Sequence, residues 1–348
     1  LKAENAGQPL FLNEAHAAHY IIDYKGELLE NLLDNLANLE DITKFQILQD
    51  RKYLAKGEVI SYADVVKILP AFANEESYIV NQALNQIFGE LDIFIDDESE
   101  TEKSYKSLVG KVFAKNYARL GWEKKAGESA GDETLRGTVL SRTLYSENAE
   151  AVAKASEIFA AHKENVATIP ADIRPIVLNN EIKATNSAEL AESYMDTYVK
   201  TSLQELKREL AAAVANIRDE AVIQSILEDF KNADVVKPQD IAFSWFYLLA
   251  KDFAQDAAWT WERDNWDWIA EKLGGDMSYD KFVIYPGNVF KTSEKFEEYK
   301  AFFEPKLSNP GLKRSIEMAI KQIDARVSLI SNQKAAVEAA IADVEKEL

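Results

Sequence analysis

The sequence predicts an all-α protein, an irregular α-solenoid of HEAT-like or armadillo-like helix pairs, preceded by a short β remnant. Alanine, leucine, glutamate and lysine dominate its 348 residues, and all four favour helix. Glycine (13) and proline (8) are too scarce for the many turns of a β-sandwich or barrel. Helical patterns follow one another at short intervals from residue 27 onward, which is typical of helix pairs that stack in sequence.

Charge and cysteine content exclude several classes of function. The chain carries 40 basic and 59 acidic residues, a net charge of −19, which repels nucleic acids and anionic membranes. It has no cysteine, which rules out disulfides and thiol catalysis and suits a reducing compartment. The longest apolar run, residues 241–250, is half the length of a membrane span, and no secretory leader is visible. We therefore expect a cytoplasmic protein with no nucleic-acid or membrane partner.

The only strand-like material lies near the start of the chain. Residues 9–13 form a short extended run, and residues 19–24 are β-branched and aromatic. Two strands do not form a stable sheet alone, so we expect the edge of a sheet whose remainder lies elsewhere. The first residue is Leu1 rather than Met, which favours an excised fragment.

Capping residues and apolar spacing predict the helices in order. Residues 42–54 have helical spacing and end at Gly57, and Ser61 opens a second helix with a variant capping box. Asn74 is expected to cap a third helix that ends at Gly89. Further helices are predicted near residues 101–120, 133–145, 148–162, 171–183, 187–199, 202–217, 219–231, 238–250, 255–273 and 293–305.

The last predicted helix begins at Asn309-Pro310, an N-cap followed by proline at the first helical position. Its apolar stripe continues from Leu312 to Val344, so a single helix of roughly 50 Å is expected.

Two motifs suggest catalysis or metal binding, but simpler interpretations are favoured. Residues 127–131 match the G-x-S-x-G nucleophile elbow, yet no buried strand precedes them, so a flexible loop is favoured over a serine hydrolase. His16 and His19 would share one face of a helix but point apart in an extended segment, and His162 is distant in sequence. Ordinary histidines are therefore favoured over a metal site. The acidic stretch 92–100 lacks the spacing of a calcium loop.

Residues 257–268 form the most unusual segment because they contain four tryptophans. On a helix, Trp259 and Trp266 share one face, while Trp261 and Trp268 share the opposite face. This pattern predicts a helix packed between neighbours on two sides. Arg263 lies at the edge of the first face, where we expect it to pair with a carboxylate or pack on tryptophan; the alternative is an anion-binding group on a concave surface.

Arg136 lies near a predicted helix start, where the helix dipole disfavours a cation. We therefore expect it to pair with a specific carboxylate.

Several segments, taken in order, resemble the C-terminal helical domain of bacterial gluzincin aminopeptidases of the aminopeptidase N type, which are zinc metallopeptidases. The resemblance covers nearly the whole chain and rests on the order and spacing of its pieces. The matching segments are residues 12–13, 19–24, 48–57, 120–122, 133–136, 155–159, 169–174 and 258–266.

The resemblance implies that residues 1–25 are the end of a β-sandwich domain and residues 26–348 a helical superhelix. In this family the catalytic domain carries H-E-x-x-H, a downstream glutamate ligand and G-x-M-E-N, and none of these occurs here. The chain is thus expected to hold no catalytic residue, metal or cofactor and to be inactive alone. Zinc belongs to the catalytic domain of the whole enzyme, where it activates water for removal of N-terminal residues from peptides.

The implied partners are the catalytic and β-sandwich domains of the same polypeptide, and peptides. The helical domain is expected to close over the active site and shape a peptide chamber. Arg263 and Arg326 are the candidates for holding the carboxyl end of a peptide, with salt bridges inside the domain as the alternative. A different class of function stays open, namely a free-standing α-solenoid scaffold that binds proteins along its groove.

Overall fold

Helices form the regular structure of the computed structural model, which describes residues 9–13, 17–275 and 278–348. No strand occurs within those ranges, and the all-α prediction is confirmed. The α-helices are α1 (Glu27–Asp34), α2 (Asp41–Lys56), α3 (Tyr62–Val66), α4 (Tyr78–Leu91), α5 (Glu100–Leu120), α6 (Ala130–Tyr145), α7 (Ala149–His162), α8 (Arg174–Thr185), α9 (Ala188–Lys200), α10 (Gln204–Val214), α11 (Glu220–Asp229), α12 (Pro238–Leu249), α13 (Asp252–Asp264), α14 (Trp266–Leu273), α15 (Lys281–Val289), α16 (Ser293–Phe303) and α17 (Pro310–Glu347).

The chain divides into two compact units, Leu1–Ala151 with Asn332–Leu348, and Val152–Ser331. In the first unit α2 packs on α4, α4 on α6, and α5 on α6. In the second, α10 packs on α8 and α9, and α13 packs on α11 and α12. The helices in these pairs are neighbours or next-but-one neighbours along the chain, which is the helical-repeat arrangement expected.

The strands predicted for residues 9–13 and 19–24 are absent, and this expectation was wrong for the described residues. A strand requires the backbone hydrogen bonds of a neighbouring strand, and side chains hold this segment instead. The Ile22 amide donates to Asp50 Oδ2 at 3.2 Å, and Arg51 Nη1 donates to the Tyr24 carbonyl at 3.3 Å. The segment is thus attached to α2.

Capping decides several helix starts. Ser61 accepts from the Ala63 amide and forms the predicted capping box with Asp64 at α3. The expected cap at Asn74 is wrong: α4 begins at Tyr78, because the Asn81 side chain donates back to the Glu75 and Ser77 carbonyls just before it.

Two helices differ from prediction for identifiable reasons. The helix expected over 255–273 is two helices that meet at Asn265, whose side-chain amide donates to the Trp261 carbonyl at 2.7 Å. This bond competes with the regular helix pattern. Helix α15 was not predicted because it contains Pro286, which sequence rules treat as a helix breaker.

We predict that Gly287→Ala destabilises the second unit by about 1–3 kcal/mol, because a Cβ there would lie 2.6 Å from the Ala319 Cβ on α17. The matched control is Gly137→Ala in α6. A Cβ there meets nothing within 4 Å, so this substitution should stabilise the chain by about 0.4–1 kcal/mol. Urea denaturation of both variants and of the unsubstituted chain measures the two changes. An unchanged midpoint for Gly287→Ala would contradict close packing of α15 on α17.

Candidate functional site

The G-x-S-x-G motif is a helix start. Ser129 is the N-cap of α6, and its Oγ accepts from the Asp132 amide at 3.1 Å. No strand precedes it in the described part of the chain. The geometry is therefore that of a cap, and the hydrolase alternative gains no support.

The histidines that the structure describes belong to no group that could hold a metal ion. His16 lies outside the described residues, and His19 is exposed. His162 Nδ1 lies 2.8 Å from Thr168 Oγ1. Within residues 9–13, 17–275 and 278–348 no group of three or more histidine, aspartate or glutamate side chains is arranged to hold a metal ion.

Arg136 has the specific carboxylate partner that its position predicted. Its Nη2 donates to both oxygens of Glu128, and the two side chains are only 3% and 5% exposed. A forked guanidinium–carboxylate pair of this kind fixes geometry as well as charge. It closes the loop that precedes α6.

The tryptophan-rich segment forms the centre of the second unit. Trp259 is fully buried, and its ring centroid lies 5.2 Å from that of Phe290 and 5.5 Å from that of Phe302. Its Nε1 donates to Glu298 Oε2 at 2.8 Å. We name this group the Trp259 cluster; its rings are Trp259, Trp266, Phe290, Tyr299, Phe302 and Phe303.

The opposite face of the segment packs separately. The Trp261 ring lies 5.4 Å from Phe230 and 6.3 Å from Trp268. The prediction of a segment packed on two sides is therefore confirmed, although Asn265 divides it into α13 and α14.

Arg263 packs on the Trp259 cluster. Its Cζ lies 5.3 Å from the Trp259 ring centroid, and its Nη1 lies 3.8 Å from Glu298 Oε2. Its Nη2 donates to Thr260 Oγ1 at 3.3 Å. The side chain is 34% exposed, so part of the guanidinium still faces solvent.

Arg326, on α17, reaches the end of α15. Its Nη1 donates to the Gly287 carbonyl at 3.0 Å and to the Phe290 carbonyl at 2.7 Å. Carbonyls at a helix C-terminus lack intrahelical partners and carry partial negative charge, so a cation is well placed there. Burial lowers the pKa of the Arg326 guanidinium. Because Phe290 also contacts Trp259, both candidate arginines border the same aromatic cluster.

Glu262 is a buried acid that sequence reasoning missed. It is fully buried in α13, and neither of its oxygens has a hydrogen-bond partner among the described residues. Burial raises the pKa of the Glu262 carboxyl well above its ordinary value, although the charges of Lys306 and Arg263 act in the opposite direction. The one available signal was that Glu262 lies between two tryptophan faces, which leave a narrow polar edge.

Lys306 is held near this acid by aromatic rings. Its Nζ lies 3.6 Å from the Phe302 ring centroid and donates to the Phe302 carbonyl at 2.7 Å. Burial lowers the pKa of Lys306, and Glu262 acts to raise it. The buried acid and the half-buried lysine thus influence each other's protonation at the edge of the Trp259 cluster.

Comparison with known proteins gives the class of this helical domain. The family model described as "ERAP1-like C-terminal domain" matches residues 9–325. Over all 348 residues the chain is 72% identical to the aminopeptidase N of Lactococcus lactis subsp. cremoris (strain MG1363), of which it covers 41%. It is 42% identical to the aminopeptidase N of Lactobacillus helveticus over 97% of the chain and 40% of that protein.

A distant plant relative extends the match. The chain is 25% identical to aminopeptidase M1 of Arabidopsis thaliana over 93% of its length and 37% of that protein. The chain belongs to the ERAP1-like C-terminal domain family, as the sequence resemblance predicted. It spans about two fifths of the length of the aminopeptidase N proteins that it matches.

Among the helices of the described residues, none combines the length and apolar character that crossing a membrane requires.

We predict that Glu262→Gln stabilises the folded chain near neutral pH. Because the pKa of Glu262 is raised, its carboxyl keeps a proton in the folded state that it releases in the unfolded state above about pH 4.3. The contribution of Glu262 to the free energy of unfolding therefore falls as pH rises towards the folded-state pKa. The variant should gain about 1.4 kcal/mol over the unsubstituted chain for each pH unit in that window, and nothing below it. Urea denaturation at several pH values measures the difference.

The control is Glu271→Gln on α14, where the side chain is 71% exposed and the substitution should change stability by less than about 0.5 kcal/mol. A Glu262→Gln variant that is less stable than the unsubstituted chain at pH 7 would show that Glu262 is charged and paired.

We also predict that Arg136→Met costs about 3–5 kcal/mol of stability, because it leaves the buried Glu128 carboxylate without its partner. The double variant Arg136→Met/Glu128→Leu should recover most of that loss. Lys200→Met breaks the pair with Asp196, whose side chains are both 76% exposed, and should change stability by less than about 1 kcal/mol. Equal losses for Arg136→Met and Lys200→Met would contradict a buried pair.

Proposed function

We propose that this chain is the C-terminal domain of a cytoplasmic zinc aminopeptidase that removes N-terminal residues from peptides. The observation that carries the proposal is the match of the whole chain to aminopeptidase N proteins more than twice its length. Residues 1–25 are then the end of a β-sandwich domain, and residues 26–348 are the helical domain. The absence of cysteine supports a reducing compartment.

The chemistry belongs to the rest of the enzyme. Zinc held there would supply an activated water for hydrolysis of the N-terminal peptide bond, with a glutamate of that part as general base. The described residues of this chain offer no cluster that fits the ion, so no step of hydrolysis is assigned to them. The role of this domain is to close over the site and limit which peptides enter.

Arg263 and Arg326 would hold the carboxyl end of the peptide. Arg263 supports this role because a third of its side chain is exposed and its contact with Glu298 is long, at 3.8 Å. Arg326 supports it because both of its backbone hydrogen bonds use Nη1, so the rest of its guanidinium fork is not engaged by them. Both cations are fixed by the Trp259 cluster, which would hold them in a defined position.

The proposal predicts that the rest of the enzyme carries the peptidase activity and that this chain alone has none. The 348-residue chain alone, with or without added zinc, should release no amino acid from peptides or aminoacyl anilides. Hydrolysis by the purified chain that is abolished by a chelator would overturn the assignment of catalysis to the rest of the enzyme.

In the longer enzyme, we predict that Arg263→Ala and Arg326→Ala lower kcat/KM about tenfold for longer peptides and less than about twofold for small aminoacyl anilides. Only longer peptides have a carboxyl end that reaches these cations. The control is Arg314→Ala, which removes an exposed arginine from the same helix as Arg326. Equal losses on both substrate types would show that the arginines are only structural.

A further inference from the structure

A small cavity lies inside the second unit, among helices α9, α10, α11 and α12. Among the described residues that line it, the side chains are apolar except for two hydroxyl groups. These belong to Tyr198 on α9 and Ser244 on α12. The cavity therefore has an apolar wall and one polar side, which carries the two hydroxyls.

The polar groups on this side are deeply buried. Tyr198 is 1% exposed and Ser244 is 6% exposed, and neither hydroxyl has a hydrogen-bond partner of normal geometry among the described residues. Asp240 lies one turn before Ser244 on α12; it is 5% exposed, and its Oδ2 atom is in the same position. A buried polar atom without a hydrogen bond destabilises the folded state, so native structures supply a partner.

The three groups are neighbours. Burial raises the pKa of the Tyr198 hydroxyl, and the charge of Asp240 acts in the same direction, while Ser244 opposes the shift. Burial also raises the pKa of the Asp240 carboxyl, and Tyr198 is among the groups that oppose it. The groups thus lie close enough to influence one another, yet no direct bond of normal geometry joins them.

The size of the cavity fits one small polar molecule. The centre of a water-sized sphere has about 10 Å³ of space there, which is the space that one water molecule requires. A buried water molecule typically makes about three hydrogen bonds to protein groups that would otherwise be unsatisfied. Tyr198, Ser244 and Asp240 supply the three partners.

We infer that this cavity is a binding site for one water molecule, which bridges Tyr198, Ser244 and Asp240. The water donates to Asp240 Oδ2, and each hydroxyl can donate to it or accept from it. Helices α9 and α12 both pack on α10. The water therefore joins the two helices that flank α10 and fixes their positions relative to each other.

Other occupants fit the cavity less well. A metal cation is disfavoured because the charges of Lys207 and Arg208 already act on Asp240, and Lys207 Nζ lies 4.7 Å from the Tyr198 ring centroid. An apolar molecule would leave all three polar groups buried without a hydrogen bond. Water satisfies them at no cost in charge.

A crystal structure of the 348-residue chain, at a resolution that shows ordered water, tests the inference. We expect density for one water molecule in the cavity, at about 2.5–3.0 Å from Tyr198 Oη, Ser244 Oγ and Asp240 Oδ2. A cavity without density, in which the Tyr198 hydroxyl bonds directly to Asp240 or Ser244, would overturn the inference. An apolar molecule bound in the cavity would overturn it as well.

Two variants test the contribution of the hydroxyls. Tyr198→Phe/Ser244→Ala removes two of the three partners, so its crystal structure should show no water in the cavity. Ser244→Ala alone should lower the urea midpoint of unfolding by roughly 0.2–0.5 M, because the water loses one of its bonds.

The matched control is Ser193→Ala, which replaces an exposed serine inside α9. It gives the same gain in helix propensity without the loss of a buried bond, so the midpoint should stay unchanged or rise. Equal midpoints for Ser244→Ala and Ser193→Ala would contradict a bond to the Ser244 hydroxyl. Density that persists in the double variant would show that other groups hold the molecule, and the structure of the unsubstituted chain decides the inference whether or not the variants crystallise.

Discussion

Burial of Trp259 is the interaction on which the second unit depends. Its ring contacts Phe290, which follows α15, and Tyr299, Phe302 and Phe303 on α16, so one side chain joins two segments to α13. Its Nε1 bond to Glu298 satisfies the one polar atom that burial would otherwise leave costly. Truncation of a buried tryptophan typically costs about 3–5 kcal/mol, a large part of the stability of a domain.

The same cluster determines the electrostatics around it. Arg263 packs on the Trp259 ring, Arg326 bonds the carbonyl of Phe290, and Lys306 lies over Phe302. Glu262 directly precedes Arg263 on α13. Burial raises the pKa of its carboxyl, because no hydrogen bond replaces the lost water. Aromatic packing thus fixes three cations and one buried acid within a small part of the unit. Such fixed positions are what recognition of a charged peptide end requires.

Much of the fold was predictable because local rules and tertiary packing agree. Ser61 caps α3 as the sequence indicates. Arg136 pairs with the Glu128 carboxylate, as expected for a cation near a helix start. The failures occur where a particular side chain or a missing partner overrides the general rule. Pro286 is tolerated inside α15, and Asn265 ends α13 through its own side chain. The strands at residues 19–24 failed because a strand depends on a partner that local sequence does not supply.

The candidate site was predictable only in part. The two tryptophan faces and the packing of Arg263 follow from helical spacing, which the sequence contains. The hydrogen bonds of Arg326 to the end of α15 do not follow from helical spacing. They join residues that are 39 and 36 positions apart, and α15 itself was not predicted. Burial of Glu262 also depends on which helices cover α13, and no spacing rule gives that. The proposed function was inferred from membership of the family and not from the fold, since all-helical folds serve many unrelated roles.

We propose that this chain is the non-catalytic C-terminal domain of a larger zinc aminopeptidase, and one measurement tests this most directly. The most direct measurement is to read the coding sequence upstream of Leu1 in the source genome. The account predicts an uninterrupted open frame of several hundred codons that encodes H-E-x-x-H and a β-sandwich domain before this chain. A start codon immediately before Leu1 would contradict it and favour a free-standing helical scaffold.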